Sequence, residues 1–400
     1  MAEKMQICAI VSEYNPFHNG HAYHIKKTQQ NGATHIVAVM SGNFVQRGDA
    51  AVLSKWARTE MALCGGVDLV LELPLPFSIA GAEKFAFGAV SLANALGCID
   101  MLSFGSECAE EALLLKTADA VLDERVLSLL KDKMRAGLPF AAARERAAAE
   151  LYGPETAAPL KSPNDILGVE YIKALKRLSS PIRPLAIKRA GAGHDEGNVV
   201  GSSASASYLR ETLLGGALPP RNLMPEDSFT ILEREFAEKR APASLSYLDR
   251  AILSRLRAMG REEFQSLPDV SEGLHNRIYD AVQISANFEG LLKNIATKRY
   301  THSRIRRIIL SAFLNLPAKS CGAPPYLRVL GFNAAGREIL KKAKRQAALP
   351  IITKASECDA LPQNARELLA LEENADSQYA LCQPAAGPCK TYWTTGTVRI

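Results

Sequence analysis

The chain has 400 residues, 47% hydrophobic and 22% charged, enough to bury two or three domain cores and unlike a disordered or fibrous protein. It has no run of eighteen apolar residues, so no membrane span is expected, and because Met1 to Gln6 lead straight into an apolar stretch no signal or transit peptide is expected either. The net charge of +6 is uneven: Leu291 to Arg345 holds thirteen Lys or Arg against one acid, Glu338, a local +12 that leaves −6 for the other 345 residues. A basic block on an otherwise acidic chain points to a polyanionic partner, with a solvated basic face as the competing reading.

Eight cysteines stand at 8, 64, 98, 108, 321, 358, 382 and 389, none in a CxxC pair. This spacing argues against a zinc site or a secreted disulfide framework and favours reduced thiols in the cytoplasm.

Ile7 to Val11 is a short apolar run suited to a buried parallel strand. It passes through Asn15-Pro16, a turn signal, into His18-Asn19-Gly20-His21 and a helix from about Ala22 to Gln30. Strand, polar turn and helix start form the layout with which α/β folds hold phosphate. Two histidines three apart at a helix start lie close enough to serve one phosphoryl group. A surface turn with two unrelated histidines is the competing reading.

His35 to Met40 reads as a second strand, ending in the glycine-containing loop Ser41 to Asp49, where ligands sit in open α/β sheets. A helix from Ser54 to Cys64, with Ser54 as N-cap, precedes a third strand, Leu69 to Leu73, halted by Pro74. Gly81 to Leu96 is helical and Met101 to Gly105 a fourth strand. This alternation predicts a parallel sheet with helices on both faces.

Ala109 to Leu151 reads as helical, Gly153 to Pro159 as a linker, and Lys161 to Gly168 leads into a helix ending near Leu178, with Asn164 or Asp165 as a possible cap. Pro181 to Ile187 is a short strand candidate, and Lys188 and Arg189 at its end favour an anion, with a solvated strand end as the competing reading. Gly191 to Gly201 is a glycine-rich loop containing His194 and Asp195. Ser202 to Arg210 opens a helix whose hydroxyls and free N–H groups suit an anion, Arg210 projecting one turn on; a plain serine-rich N-cap is the alternative.

This first unit, residues 1–216, ends before Pro219-Pro220. In the second, residues 217–400, Phe229 to Arg240, Leu245 to Met259, Gly273 to Ala286 and Thr301 to Leu316 read as amphipathic helices. Tyr300 and His302 place flat rings beside Lys298 and Arg299, a mix suited to single-stranded RNA. Tyr326 to Phe332 supplies a short strand and Gly336 to Arg345 a basic helix. From Glu357 the tail shows little periodicity. The expected architecture is therefore an α/β, Rossmann-like parallel-sheet domain followed by a mainly helical basic domain with an irregular tail.

Asn15-Pro16-Phe17-His18-Asn19-Gly20-His21 after the first strand resembles the signature of the HxGH nucleotidyltransferase superfamily. Ser205-Ala206-Ser207-Tyr208-Leu209-Arg210 is similar to its later Ser-Ser-Thr-x-Ile-Arg element, departing from it at Ala206, Ser207 and Leu209. A closer resemblance is to the bacterial tRNA(Met) cytidine acetate ligase family. Glu13 to His21, Met40 to Phe44 with Gln46-Arg47-Gly48, Ser54 to Thr59, Lys161 to Gly168 and Lys298 to Thr301 carry it, so that it spans roughly Ile7 to Arg345.

The resemblance implies that ATP and acetate give acetyl-adenylate and pyrophosphate, and that the acetyl group passes to the wobble cytidine of elongator tRNA(Met), forming N(4)-acetylcytidine. It implies His18 and His21 as catalytic residues. ATP is expected along Val11, Ser12, Glu13, Tyr14, Asn15, Pro16, Phe17, His18, Asn19, Gly20, His21, Ala22, Tyr23 and His24, then at Gly105, Asn164, Lys188, Arg189, Ser207 and Arg210. Magnesium is expected to bridge the phosphates, without an acidic cluster to nominate as its ligand. Lys298, Arg299, Arg304 and Arg307 are the expected tRNA contacts. The competing functions are an adenylyl- or cytidylyltransferase acting on a small phosphorylated cofactor precursor, and a non-catalytic RNA-binding protein.

Overall fold

The computed structural model describes residues 5–189, 205–271, 273–297, 300–317 and 322–400. Six main strands, β1 (Ile7–Ser12), β2 (His35–Ser41), β3 (Leu69–Leu73), β4 (Met101–Ser106), β5 (Arg183–Lys188) and β6 (Leu327–Phe332), lie in the order β6-β3-β2-β1-β4-β5. All neighbours are parallel except β6, which runs antiparallel to β3. Two short strands, Ile351–Ile352 and Val398–Arg399, pair in parallel along the outer side of β6.

Burial alternates with period two along β1. Ile7 and Ala9 enter the core of one face; Cys8 and Ile10 enter that of the other. Helices α1 (Asn19–Gln30) and α2 (Lys55–Cys64) cover the Cys8 face; α3 (Ala82–Ala95) and α4 (Pro163–Arg177) cover the Ile7 face. Helix α5 (Ala206–Leu214) returns to the Cys8 face through Leu209 and Leu213. Chain order steps outward from β1 to β2 and β3, then jumps back across β1 to β4 and β5. That reversal leaves a crevice between the carboxyl ends of β1 and β4, the position where open α/β sheets hold ligands.

Farther along, α6 (His302–Phe313) and the helices Asp249–Arg257, Leu274–Ile284 and Phe288–Ile295 share a second core around Leu256, Ile278, Leu291 and Ile309. The chain then comes back: β6 joins the main sheet and α7 (Ala334–Ala343) packs on its Ile7 face. The two units expected at 1–216 and 217–400 thus share one sheet. Among the described residues no helix is long and apolar enough to cross a membrane.

Two helical expectations change in detail. The run from Ala109 to Leu151 is three helices, Glu111–Leu122, Glu124–Arg135 and Phe140–Tyr152. Asp123 caps the second by accepting from the Arg125 N–H, and Gly137 at φ 94° with Pro139 ends it. The tail expected to be irregular holds a seventeen-residue helix, α8 (Gln363–Tyr379). Its apolar stripe of Ala365, Leu368, Leu369, Ala375 and Tyr379 is interrupted by two buried acids, Glu372 and Asp376, which is why the periodicity is faint.

Candidate active site

His18 is the N-cap of α1, its backbone extended at φ −141°. Its Nδ1 accepts the Gly20 N–H at 3.0 Å, while the His18 N–H donates to His21 Nδ1 at 3.2 Å. The rings stack with centroids 3.9 Å apart. With each Nδ1 accepting from backbone, each neutral ring carries its proton on Nε2, the edge left for the cleft. Gly20 is required here because a Cβ would lie 2.8 Å from His18 Cε1.

A third ring follows one turn later. Thr28 Oγ1 donates to the His24 carbonyl at 2.9 Å, so it accepts from Ser103 Oγ at 2.7 Å, and Ser103 in turn accepts from His24 Nε2 at 2.9 Å. Burial, helped by the Arg189 and Arg210 charges, lowers His18 to about 3; burial and Arg189 lower His24 to about 4. Burial first, then the neighbouring histidines and Arg189, hold His21 well below the usual imidazole range. All three are neutral near pH 7, so they serve the cleft as hydrogen-bonding groups.

The opposite wall comes from the ends of β4 and β5 and the start of α4. Arg189 Nη1 reaches Asn164 Oδ1 at 3.4 Å, and Asn164 Nδ2 donates to Glu107 Oε1 at 2.5 Å. Lys188 Nζ donates to the Glu107 carbonyl. Asp165 caps no helix; it accepts the N–H groups of Glu107 at 2.9 Å and Cys108 at 3.2 Å, fixing the loop after β4. A Cβ on Gly105 would lie 3.2 Å from Arg189 Cγ, so this glycine makes room for the arginine stem.

On the third side Ser205 caps α5 by accepting the Tyr208 N–H at 3.2 Å. Arg210, one turn on, donates to the Asn15 carbonyl at 3.0 Å and to Ser207 Oγ at 3.0 Å. Residues 190–204, with His194, Asp195, Ser202 and Ser203, lie outside the described residues.

These walls enclose a cleft of about 290 Å³. It brings together Val11, Ser12, Glu13, Tyr14, Asn15, His18, Gly20, His21, Tyr23, His24, Gly105, Asn164, Lys188, Arg189, Ser207 and Arg210. Pro16, Phe17, Asn19 and Ala22 do not line it: Phe17 is buried in the core, and Asn19 Nδ2 donates to the Asn222 carbonyl at 2.8 Å. The cleft also takes Gln46 and Arg47 from the loop after β2, and Phe85, Phe104, Leu167 and Tyr171 from the Ile7 face. The loop's position after a strand pointed to the first two; the apolar four carry no chemical signal in sequence.

Two buried cations brace that loop. Arg58 donates to the carbonyls of Glu13 at 2.6 Å, Ser41 at 3.1 Å, Leu53 at 3.0 Å and Gly42, tying the ends of β1 and β2 together. Lys55 lies 2.7 Å from Glu72 and 2.9 Å from Asp376 of α8, its ammonium 4.0 Å from the Tyr392 ring centre. Asn43 joins this cluster, donating to Asp376 Oδ1 at 2.9 Å and accepting the Lys55 N–H at 2.6 Å.

Of the expected RNA contacts, Lys298 and Arg299 lie outside the described residues. Arg304 donates to the Asp269 carbonyl and Ser271 Oγ, both at 2.8 Å. Arg307, only 14% exposed, pairs with Asp269 at 3.5 Å and donates to the Gln46 carbonyl at 3.4 Å. A Cβ on Gly48 would meet the Arg307 N at 2.5 Å, so α6 packs directly on the loop that enters the cleft. The five cations from Arg337 to Arg345 sit apart: Gly336 packs on the Asp68 carbonyl, at the amino end of β3.

The sheet reversal, the stacked histidines at a helix start and the arginine-lined walls define a nucleotidyltransferase of the HIGH type, and the sequence model of the HIGH nucleotidyl transferase family matches residues 5–391. A tRNA(Met) cytidine acetate ligase from Caldanaerobacter subterraneus is 42% identical over 88% of this chain and 90% of its own. One from Acetivibrio thermocellus is 37% identical over 94% and 95%. Crystal structures of Thermotoga maritima TmcAL superpose with TM-scores of 0.93 for the apo form and 0.91 for the form bound with alpha-thio ATP, each at 33% identity over 99% of this chain and 100% of that one. The chain belongs to the tRNA(Met) cytidine acetate ligase family.

Proposed function

We propose that the protein activates acetate with ATP and transfers the acetyl group to the wobble cytidine of elongator tRNA(Met). The observation that carries this reading is the pair of neutral imidazoles, Nε2–H edges free, at the N-terminus of α1 between Arg189 and Arg210. In the first step an acetate oxygen bonds to the α-phosphorus, and the P–O bond to the β-phosphate breaks with its electron pair on pyrophosphate. No proton moves, so neutral donors suffice: His18 and His21 hydrogen-bond to the oxygens on which charge builds. Ser207, Arg210 and the N-terminus of α5 receive the pyrophosphate. Asn164, Gly105 and Arg189 hold the nucleoside side of ATP.

In the second step the cytidine N4 amine bonds to the acetyl carbon, the carbon–oxygen bond to AMP breaks with its electron pair on AMP, and the nitrogen gives up a proton to water. The base must leave its stack to reach the anhydride. Packing of the basic helix α6 on the Gln46–Gly48 loop supports tRNA approach from that side, with Lys298, Arg299 and Arg304 as phosphate contacts, in a cytoplasmic enzyme. Arg307, with its charge already engaged, serves the loop instead. Among the described residues no group of three His, Cys, Asp or Glu side chains could hold a metal. Glu13, the carboxylate in the cleft, already accepts the Gln46 N–H at 2.9 Å. The described residues therefore offer no side-chain set for a resident magnesium, and no step is routed through one.

The test is incubation with ATP, labelled acetate and total bacterial tRNA, followed by digestion. Label in acetylated cytidine of one tRNA species is expected. Acetate-dependent pyrophosphate release without labelled tRNA would refute the acceptor, and no acetate-dependent release would refute the activation step.

A further inference from the structure

The cleft spans both faces of the sheet, and the two sides differ in chemistry. The histidines stand on α1 and Arg210 on α5, whose Ile25, Leu209 and Leu213 pack on the Cys8 face. The other side is apolar: Val11, Phe85 and Phe104 with Tyr171 belong to the Ile7 face and line the same cleft. Phe85 is 3% exposed, Phe104 and Tyr171 each 4%, and the last two rings lie 5.7 Å apart. Neighbouring Gly168 is what lets Phe104 stand there, since a Cβ would come within 2.6 Å of its Cε2.

In-line displacement places the attacking and leaving oxygens on opposite sides of the α-phosphorus. With pyrophosphate held toward α5 on the Cys8 face, the attacking carboxylate enters from the Ile7 face. Its alkyl group then points into the aromatic recess. The nucleoside takes the remaining direction, along Gly105, Asn164 and Arg189. We propose that Val11, Phe85, Phe104 and Tyr171 form the acyl pocket, with Phe85 and Phe104 closing it against acids longer than acetate. Apart from the Tyr171 hydroxyl these side chains offer no polar atom, so hydroxy and amino acids would enter with unpaired groups. This inference rests on the acetyl-adenylate reading.

The experiment is ATP–pyrophosphate exchange driven by acetate, propionate or butyrate, using the full-length protein and its Phe85→Leu, Phe85→Ala and Gly168→Ala variants. One methylene in an apolar pocket discriminates by about 10- to 200-fold. Both Phe85 variants should raise the propionate-to-acetate ratio of kcat/KM by roughly tenfold or more, with KM for ATP within about twofold of the parent. Gly168→Ala, which displaces the Phe104 ring, should raise KM for acetate instead. Phe85→Leu keeps most of the buried volume and carries the test should Phe85→Ala not fold. An unchanged acid preference in folded Phe85→Leu would overturn the proposal. So would a KM for ATP raised at least about tenfold with acid preference intact, since the recess would then hold adenine. Failure of the parent to exchange with acetate would count against acetate activation itself, a result distinct from either.

Discussion

Replacing Lys55 by methionine removes the one cation of a cluster in which Lys55, Glu72 and Asp376 are 0%, 2% and 3% exposed. Breaking a buried ion pair from one side costs about 3–5 kcal/mol, because the partner charges stay buried without compensation. The remaining acids can escape part of that cost by taking up protons. Burial already pushes Asp376 up to about 6, against the pull of Lys55, and holds Glu372 well above the carboxylate range. Without Lys55 the Asp376 value rises further.

A group whose folded pKa is raised loses its contribution as pH climbs through that value. The variant's deficit is therefore largest at alkaline pH and shrinks on acidification, by up to about 1.4 kcal/mol per pH unit for each proton taken up. Urea unfolding of parent and variant at about pH 8 and about pH 5 measures it, and taking the difference at each pH cancels the histidines common to both. A deficit below about 1 kcal/mol at pH 8, or one that grows on acidification, would refute the reasoning. Lys55→Met with Asp376→Asn should recover part of the loss.

His18→Asn and His21→Asn should each lower acetate-dependent pyrophosphate exchange by about 10²–10³-fold in kcat, as expected for a lost donor to developing charge; a loss confined to KM for ATP would show ground-state binding alone. The three neutral histidines depress acid stability: each lowered pKa costs the folded state as pH falls below about 6.5, until the folded values of about 3 and about 4 for His18 and His24 are passed. His24→Gln should flatten the stability curve between about pH 6 and 4, as read by thermal melts across pH. Charge reversal at Lys298 or Arg299 should weaken tRNA binding and lower the salt slope by about one per position without altering pyrophosphate exchange. Arg307→Ala should behave oppositely, slowing exchange in the absence of tRNA because the Gln46 loop loses its support, with a near-parental salt slope.

Much of the nucleotide side was legible because backbone chemistry writes itself into local sequence. Apolar runs such as His35 to Met40 mark strands buried on both faces, and the Asn-Pro turn before His18 marks where β1 hands over to α1. Arg210 and Arg189, singled out from their helix and strand ends, both line the cleft. What stayed hidden depends on partners distant in sequence. Nothing in Tyr326 to Phe332 says that it pairs antiparallel with β3, some 260 residues earlier. Helix α8 was obscured by Glu372 and Asp376, whose burial makes sense only beside Lys55. Arg307, part of a basic block when read in line, has its charge engaged by Asp269 and its donor turned to the Gln46 carbonyl.

The late return of the chain bears on synthesis. The loops that feed the cleft are held by Asp376 on Lys55 and Asn43, by the Tyr379 hydroxyl on the Ala51 carbonyl and by the Tyr392 hydroxyl on Glu72. A nascent chain that has not reached α8 leaves Lys55 without its Asp376 partner. At about 5–20 residues per second, tens of seconds separate translation of Lys55 from that of Asp376. An unfinished chain on the ribosome therefore lacks this brace on the loop that enters the cleft, and so does the product of a truncated message.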